Sequence, residues 1–372
     1  MAKLRAQWGT SPWQRPSIFA FDNAASAAPD VAIVGGGLTG VSTAYYLAKM
    51  GIRAVLFEAA LIGDGASGRT GGLVLEGTAA GILDQVDACV PGLKRLVDEE
   101  EIDCDLQLPG CWEITHKTGA QTRKLPWSDD GHPVSIARTV SGGVVQPAAL
   151  TIGIAQAATK HGAIIHEQSP VTRIALTAEL CVKIGGERFR PKHIVVATNA
   201  WINATLPEAP SLHSSLTFAC VTEPLDAVSL AAIGLDEGIP FYTSDLPYLW
   251  GRTIRDGRVI FGAGLVFGQP AELEAIDVRA GSSSEVLDRL RTRVRGLHPA
   301  LREARFESAW AGPIAFADGA IPLLGSHPMN PRVLVSGGYA GHGVALSVRV
   351  GELLALAIGK NLPLPKWGSL ER

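Results

Sequence analysis

Asp30-Val31-Ala32-Ile33-Val34-Gly35-Gly36-Gly37-Leu38-Thr39-Gly40 is the stretch that decides the fold. A short apolar, β-branched run ends in glycine, as a central parallel strand buried on both faces does. Beyond the turn, Val41, Ala44, Tyr45, Leu47 and Ala48 recur at helical spacing, Gly51 stops the helix, and residues 52–57 give a second apolar run. This is a βαβ unit. In Gly35-x-Gly37-x-x-Gly40 the first glycine permits the tight turn, the second lets backbone approach a pyrophosphate, and the third lets helix and strand pack closely. The N–H groups of the helix N-terminus, at Leu38 and Thr39, suit a diphosphate without help from lysine. Glu58, followed by Ala59, ends the second strand about twenty residues on, where an acid accepts both ribose hydroxyls and disfavours a 2′-phosphate.

That motif alone leaves NAD and FAD undecided. Two further glycine loops bear on the choice: Gly65-Ala66-Ser67-Gly68-Arg69-Thr70-Gly71-Gly72, leading into Leu73, and Gly337-Gly338-Tyr339-Ala340-Gly341-His342-Gly343, leading into Val344. A long dinucleotide touching both ends of the chain explains both, and FAD is the expectation. A helix over 344–358 would point its positive end at the ligand, which suits the anion that develops on a two-electron-reduced flavin. Gly341 and Gly343 would allow the close approach.

With 372 residues the chain calls for two units rather than one core. Helical spacing over 148–161 and 283–298, apolar strands at 163–166, 170–174, 193–198 and 333–336, and an Asp256-Gly257 hairpin turn between 247–253 and 258–262 complete the outline. The expected fold is α/β (α+β overall): a Rossmann-type FAD-binding domain from 29–79, 144–206 and 308–372, with an inserted antiparallel-sheet substrate domain from 80–143 and 207–307. Residues 1–28 form an N-terminal arm whose Trp8 and Trp13 could dock on the body or on a partner chain.

Composition narrows the functional classes. A formal net charge of −3 and no lysine or arginine run give no field for nucleic acid or an anionic membrane. Arg349 and Glu352 interrupt the most apolar late stretch, so no membrane span is expected. The start lacks the apolar core of a secretory signal. Five cysteines without a C-x-x-C pair fit reduced thiols, and the chain reads as soluble and cytoplasmic. His161 and His166, five apart, match no metal-ligand spacing, and no metal is expected.

Together with the opening motif, G-A-S-G-R-T-G-G at 65–72, A-T-N-A-W at 197–201, W-A-G-P-I-A-F-A-D-G-A-I-P-L-L-G at 310–325 and G-G-Y-A-G-H-G-V-A at 337–345 resemble the D-amino-acid oxidase superfamily of FAD-dependent amine oxidoreductases. Within it the chain looks like the γ-glutamylputrescine oxidoreductase branch, which shows G-A-S-G-R-N-G-G, a T-E-P-L segment like 222–225 and G-Y-S-G-H-G-V. Thr70 departs from that branch's asparagine. The resemblance implies oxidation of a C–N bond to an imine by hydride transfer to flavin, with O2 or another acceptor restoring the cofactor.

It also assigns FAD contacts to Gly35, Gly37, Leu38, Thr39, Gly40, Glu58, Ala59, Ser67, Gly68, Arg69, Thr70, Gly71, Gly72, Leu73, Val171, Ala197, Thr198, Trp201, Gly312, Gly338, Tyr339, Gly341, His342, Gly343 and Val344. Pro313-Ile314-Ala315 stands where glycine- and D-amino-acid-type relatives carry a carboxylate-binding arginine, which turns the expectation away from a small α-amino acid. Residues 313–325 lack the cysteine that tethers flavin in sarcosine-oxidase-like relatives, so noncovalent FAD is expected. No catalytic side chain is assigned. Tyr248, Trp250 and His342 are the substrate-pocket candidates, with Phe241 and Tyr242 as further wall residues. Arg69 either donates to the flavin or to substrate, or braces its own loop by pairing with a carboxylate. The expected substrate is a secondary or γ-glutamylated, polyamine-type amine. An N-demethylating sarcosine-like oxidase and a flavin-binding subunit of a larger complex are the other readings, and homo-oligomerisation stays open.

Overall fold

A computed structural model of the chain describes residues 7–13, 29–117, 123–244 and 247–370. Strand Val31–Val34 is buried throughout and pairs in parallel with Ala54–Phe57 on one side and His193–Val196 on the other. Its side chains alternate between two separate cores, Val31 and Ile33 in one, Ala32 and Val34 in the other, which is why the run carries no polar residue. Ile164–His166 and Asn330–Gly337 extend the parallel sheet outward, and Leu323–His327 closes one edge in the antiparallel sense.

Helices Leu38–Lys49, Pro147–Lys160 and Gly343–Lys360 cover one face of this six-stranded sheet. The second helix starts where its sequence says it should, with Pro147 in the first turn and the Gln146 side chain accepting from Ala149 N–H. On the opposite face lies a small antiparallel sheet of Val171–Ala175, Cys181–Ile184 and Glu187–Phe189, whose Val182 enters the second core.

The other large sheet has eight strands in the order Phe306–Phe316, His213–Thr222, Val259–Phe267, Trp250–Thr253, Phe241–Thr243, Cys111–Thr115, His132–Val140 and Arg123–Asp129. Its neighbours are antiparallel except for Phe241–Thr243 beside Cys111–Thr115. The hairpin expected around Asp256-Gly257 joins Trp250–Thr253 to Val259–Phe267. Helix Gly281–Leu297 packs Leu290, Val294 and Leu297 on one face of this sheet together with Phe241, Phe261 and Cys220. The other face is turned to the glycine loops of the parallel-sheet unit.

Two segments lie differently from the division drawn on the sequence. Helix Cys89–Glu99 falls within 80–143, yet its apolar stripe of Cys89, Val90, Leu93, Leu96 and Val97 packs into the core of the parallel-sheet unit. An amphipathic helix goes to whichever apolar face is uncovered, and here that is the flank of Gly343–Lys360. Strand Phe306–Phe316, expected on the FAD-binding side from 308 onward, pairs along nearly its whole length with His213–Thr222 in the eight-stranded sheet. Chain continuity with the C-terminal motifs hid its lateral pairing. Of the arm at 1–28, residues 1–6 and 14–28 lie outside the described residues.

Helices Leu38–Lys49 and Gly343–Lys360 touch closely because Gly351 has no side chain: a Cβ there would sit 2.5 Å from Ser42 Cβ and 2.8 Å from Thr43 N. Gly351→Val must push these helices apart, and we expect it to lower unfolding free energy by about 1–3 kcal/mol, read as a shift in the urea midpoint.

Candidate functional site

Three glycine turns from distant parts of the chain meet at the C-terminal end of the parallel strands. Gly35 leaves strand Val31–Val34 with φ +108°, and a Cβ there would press on the Ala197 carbonyl at 2.7 Å. At Gly40 a Cβ would overlap the Gly35 carbonyl, so the helix N-terminus can rest on the strand end only with glycine at that position. Glu58 closes the turn from the neighbouring strand: one carboxylate oxygen accepts from Gly36 N–H at 2.6 Å and the other from Ala60 N–H at 2.7 Å. Burial pushes its carboxyl pKa up, and those two N–H donors work against the rise.

The second loop attaches to the same helix end, where Ser67 Oγ accepts from Leu38 N–H at 2.9 Å. The third loop joins through Tyr339, whose hydroxyl lies 2.7 Å from Thr39 Oγ1 and 2.9 Å from Ser336 Oγ. Asn199 Oδ1 accepts from Gly338 N–H at 2.9 Å and so ties the 197–201 segment to the third loop. Its φ of +45° suits asparagine. Asn199 and Gly36 were not among the residues singled out from the sequence, although Asn199 lies inside the quoted A-T-N-A-W.

On the facing sheet, register aligns a row of side chains: Arg138, Glu113, Tyr242, Trp250, Gly262, Ala219 and Trp310. The Trp250 ring lies between Gly71 and Gly262, and a Cβ on either would overlap it. Tyr242 donates to Glu113 at 3.1 Å, and Arg138 holds the same carboxylate at 2.7 and 2.9 Å. Across from it stands His342, edge to face with Tyr242 at 6.3 Å between ring centres and 77° between planes. Trp250 is the register neighbour of Tyr242 in this row.

Tyr248 is different. Its hydroxyl lies 2.6 Å from Thr217 Oγ1 and donates to the Gly264 carbonyl at 2.9 Å, and burial pushes its pKa up to about 12. That hydroxyl serves the sheet, which leaves only the ring to offer a ligand. Phe241 packs on the helix-covered face and drops out of the wall. Arg69 braces, since Nη1 donates to the carbonyls of Gly9 and Ala311, both at 3.1 Å. Gly312 passes close to it, with Arg69 Cβ 3.2 Å from where a Gly312 Cβ would be. The Trp201 ring lies beside Gly65 and its indole N–H donates to Glu274. Val171 opens the small antiparallel sheet two residues after Ser169, whose N–H reaches the Glu58 carbonyl at 2.8 Å.

Two buried polar atoms in this region have no partner among the described residues, Thr198 Oγ1 and His342 Nδ1. Among the described residues no helix is long and apolar enough to cross a membrane.

Residues 30–357 match the family model described as DAO, FAD dependent oxidoreductase. The chain belongs to that family. It is an oxidoreductase, and FAD is the cofactor the family description names. Similar proteins include γ-glutamylputrescine oxidoreductase of Escherichia coli, 26% identical with 88% of this chain and 82% of that protein covered. Glycine oxidase of Bacillus licheniformis is 23% identical over 91% of this chain and 95% of its own. Among solved structures, L-proline dehydrogenase from P. horikoshii superposes with a TM-score of 0.74 at 19% identity, covering 91% of this chain and 95% of the other, which attests the fold.

Burial holds the His342 imidazole below its ordinary pKa, with a hydrogen bond involving Ala340 acting the other way. The ring is therefore less often charged in the folded chain than in the unfolded one at the same pH. Its contribution is intact above the unfolded value and is lost as pH falls from about 6.5 toward the lower folded value. His166 and His193 are shifted the same way by burial. These three rings should each lower stability on acidification from pH 7 to 5, against the opposite trend of the raised Glu58 carboxyl, and His342→Gln should reduce the loss in thermal melts.

Proposed function

We propose that the chain holds FAD noncovalently along its three glycine turns and oxidises the C–N bond of an amine to an imine. The observation that carries this reading is the placement of Trp250 against Gly71, with the neighbouring Tyr242 edge to face with His342 of the third loop. The residues present fit the cofactor. The Leu38–Lys49 N-terminus and Gly37 would take the pyrophosphate, Glu58 the ribose, and the Gly343–Lys360 N-terminus the pyrimidine edge of the flavin. Thr198 Oγ1 and His342 Nδ1 supply unspent polar atoms on the same side.

When bound, FAD supplies the two-electron acceptor for the hydride that leaves the carbon beside the amine nitrogen. The chain's own part is to orient and to dehydrate. Trp250 and Tyr242 present aromatic surface to an alkyl or amine group, and exclusion of water from that surface disfavours the ammonium form, which cannot give up a hydride. His342, neutral at pH 7, places no competing cation there. Pro313, Ile314 and Ala315 offer no charge beside Gly312 for the carboxylate of a small α-amino acid, which favours a secondary or γ-glutamylated, polyamine-type amine. The resemblance of the chain to γ-glutamylputrescine oxidoreductase supports the same class. Noncovalent attachment is supported by the thiols: residues 312–325 contain none, and burial pushes those of Cys89, Cys104, Cys111 and Cys220 up, away from reactive thiolate.

The test is anaerobic mixing of the flavin-loaded protein with secondary amines, γ-glutamyl amines and N-methyl amino acids while the flavin absorbance is followed. Bleaching by γ-glutamyl or secondary amines is the expected result, and a spectrum that no amine bleaches would overturn the reading. Trp250→Ala should keep its bound FAD and lose about tenfold or more in kcat/KM for the bleaching amine.

A further inference from the structure

We infer that the N-terminal arm is part of the cofactor site: residues 7–13 clamp the 65–72 loop in the shape that receives FAD, with Ser11 and Trp13 as positioning residues. The inference rests on the proposal that FAD lies along that loop. Three consecutive carbonyls of the loop are each held from outside it. Ser11 Oγ donates to Gly68 at 3.3 Å, Trp310 Nε1 to Arg69 at 2.8 Å and Trp13 Nε1 to Thr70 at 2.8 Å. Two of those three donors belong to the arm. The loop answers through its one long side chain, because Arg69 donates to the Gly9 carbonyl of the arm and lies over the Trp8 ring at 5.6 Å.

The arm itself is anchored. Gly9 bridges to Trp310 in the antiparallel sense, Ala311 N–H donates to the Trp8 carbonyl at 2.8 Å, and the Trp8 indole, 2% exposed, donates to Leu273 at 3.0 Å. Gly9 takes φ +71° with the Ala309 carbonyl directly behind it, so no other residue fits the crossing. Trp13 also covers Arg252 at 5.3 Å, a guanidinium only 2% exposed that forms no ion pair among the described residues and donates to Val145, whose N–H in turn reaches Gly72.

Physically, a loop with four glycines in eight residues is costly to order, and a ligand that must order it binds more weakly by the fraction of time the competent shape is absent. The arm meets that cost before the cofactor arrives. It touches the loop at Gly68 and Thr70 and leaves Ser67 and Gly71 to contact Leu38 and Trp250.

The experiment compares the full-length chain with Ser11→Ala/Trp13→Phe, which removes both arm donors while keeping a ring over Arg252, and with Gly9→Val, which displaces the arm. FAD dissociation constants are measured on apoprotein by flavin fluorescence, and hydrogen exchange of a peptide covering 65–72 is followed without cofactor. We expect the double variant to bind FAD about tenfold more weakly, and Gly9→Val more weakly still, with faster exchange in the loop. A lower melting temperature with unchanged FAD affinity and unchanged loop exchange would assign the arm a merely structural role and overturn the clamp. A wild-type chain that takes up no FAD would instead overturn the cofactor reading on which the clamp stands.

Discussion

The absence of a side chain at Gly40 is the constraint from which the site follows. Because a Cβ there would collide with the Gly35 carbonyl, this one position sets how near the helix Leu38–Lys49 stands to the end of strand Val31–Val34. Close seating brings the Leu38 amide to Ser67, Thr39 to Tyr339, and the Gly36 amide to Glu58. Three segments, up to 300 residues away in sequence, therefore converge on the stretch from Gly36 to Thr39. Each contact is an ordinary hydrogen bond worth about 1 kcal/mol in net stability, so their value lies less in energy than in fixing relative position.

The two large sheets divide the work by what they bury. In the parallel sheet both faces are covered, its strands are short and apolar, and polar groups appear only where the strands end. The eight-stranded sheet buries one face under Gly281–Leu297 and turns the other toward the loops, so along a strand such as Trp250–Thr253 the buried Gly251 against Phe241 alternates with Trp250 and Arg252 on the loop side. Large rings on that side are matched by missing side chains opposite, Trp250 against Gly71 and Gly262. Pairing indole with glycine lets the Trp250 ring fit between the two units, and its register neighbour Tyr242 meets His342 edge to face.

The parallel sheet was legible in the sequence because its signals are local: a β-branched run, a glycine turn at fixed offsets and an acid at the next strand end all lie within 30 residues. The long helices and the hairpin at Asp256-Gly257 were legible for the same reason. What was hidden is lateral. Nothing in the run at 306–316 tells that its partner is 213–222, and the apolar stripe of Cys89–Glu99 is silent about which of two cores it will cover. In the site, Tyr248 and Tyr242 read alike, as aromatics near a hairpin. Thr217 and the Gly264 carbonyl, which claim the Tyr248 hydroxyl, come from other strands, and only folding shows that this group is spent.

The arm illustrates the same limit from the other side. Trp8 and Trp13 stood out as large apolar residues in a polar stretch, and a segment of seven described residues cannot bury two indoles by itself. They must cover something, and what they cover is decided by the indole N–H, which inside a protein needs an acceptor. Thr70 offers a main-chain carbonyl in the glycine loop, and Leu273 one at a helix end that also accepts from Ile276 N–H. A glycine-rich loop has many such carbonyls because it forms neither ladder nor helix, so it is a natural place for indole donors to settle. The flexibility that suits the loop to approach a ligand is thus also what exposes the acceptors by which Trp13 and Trp310 hold it still.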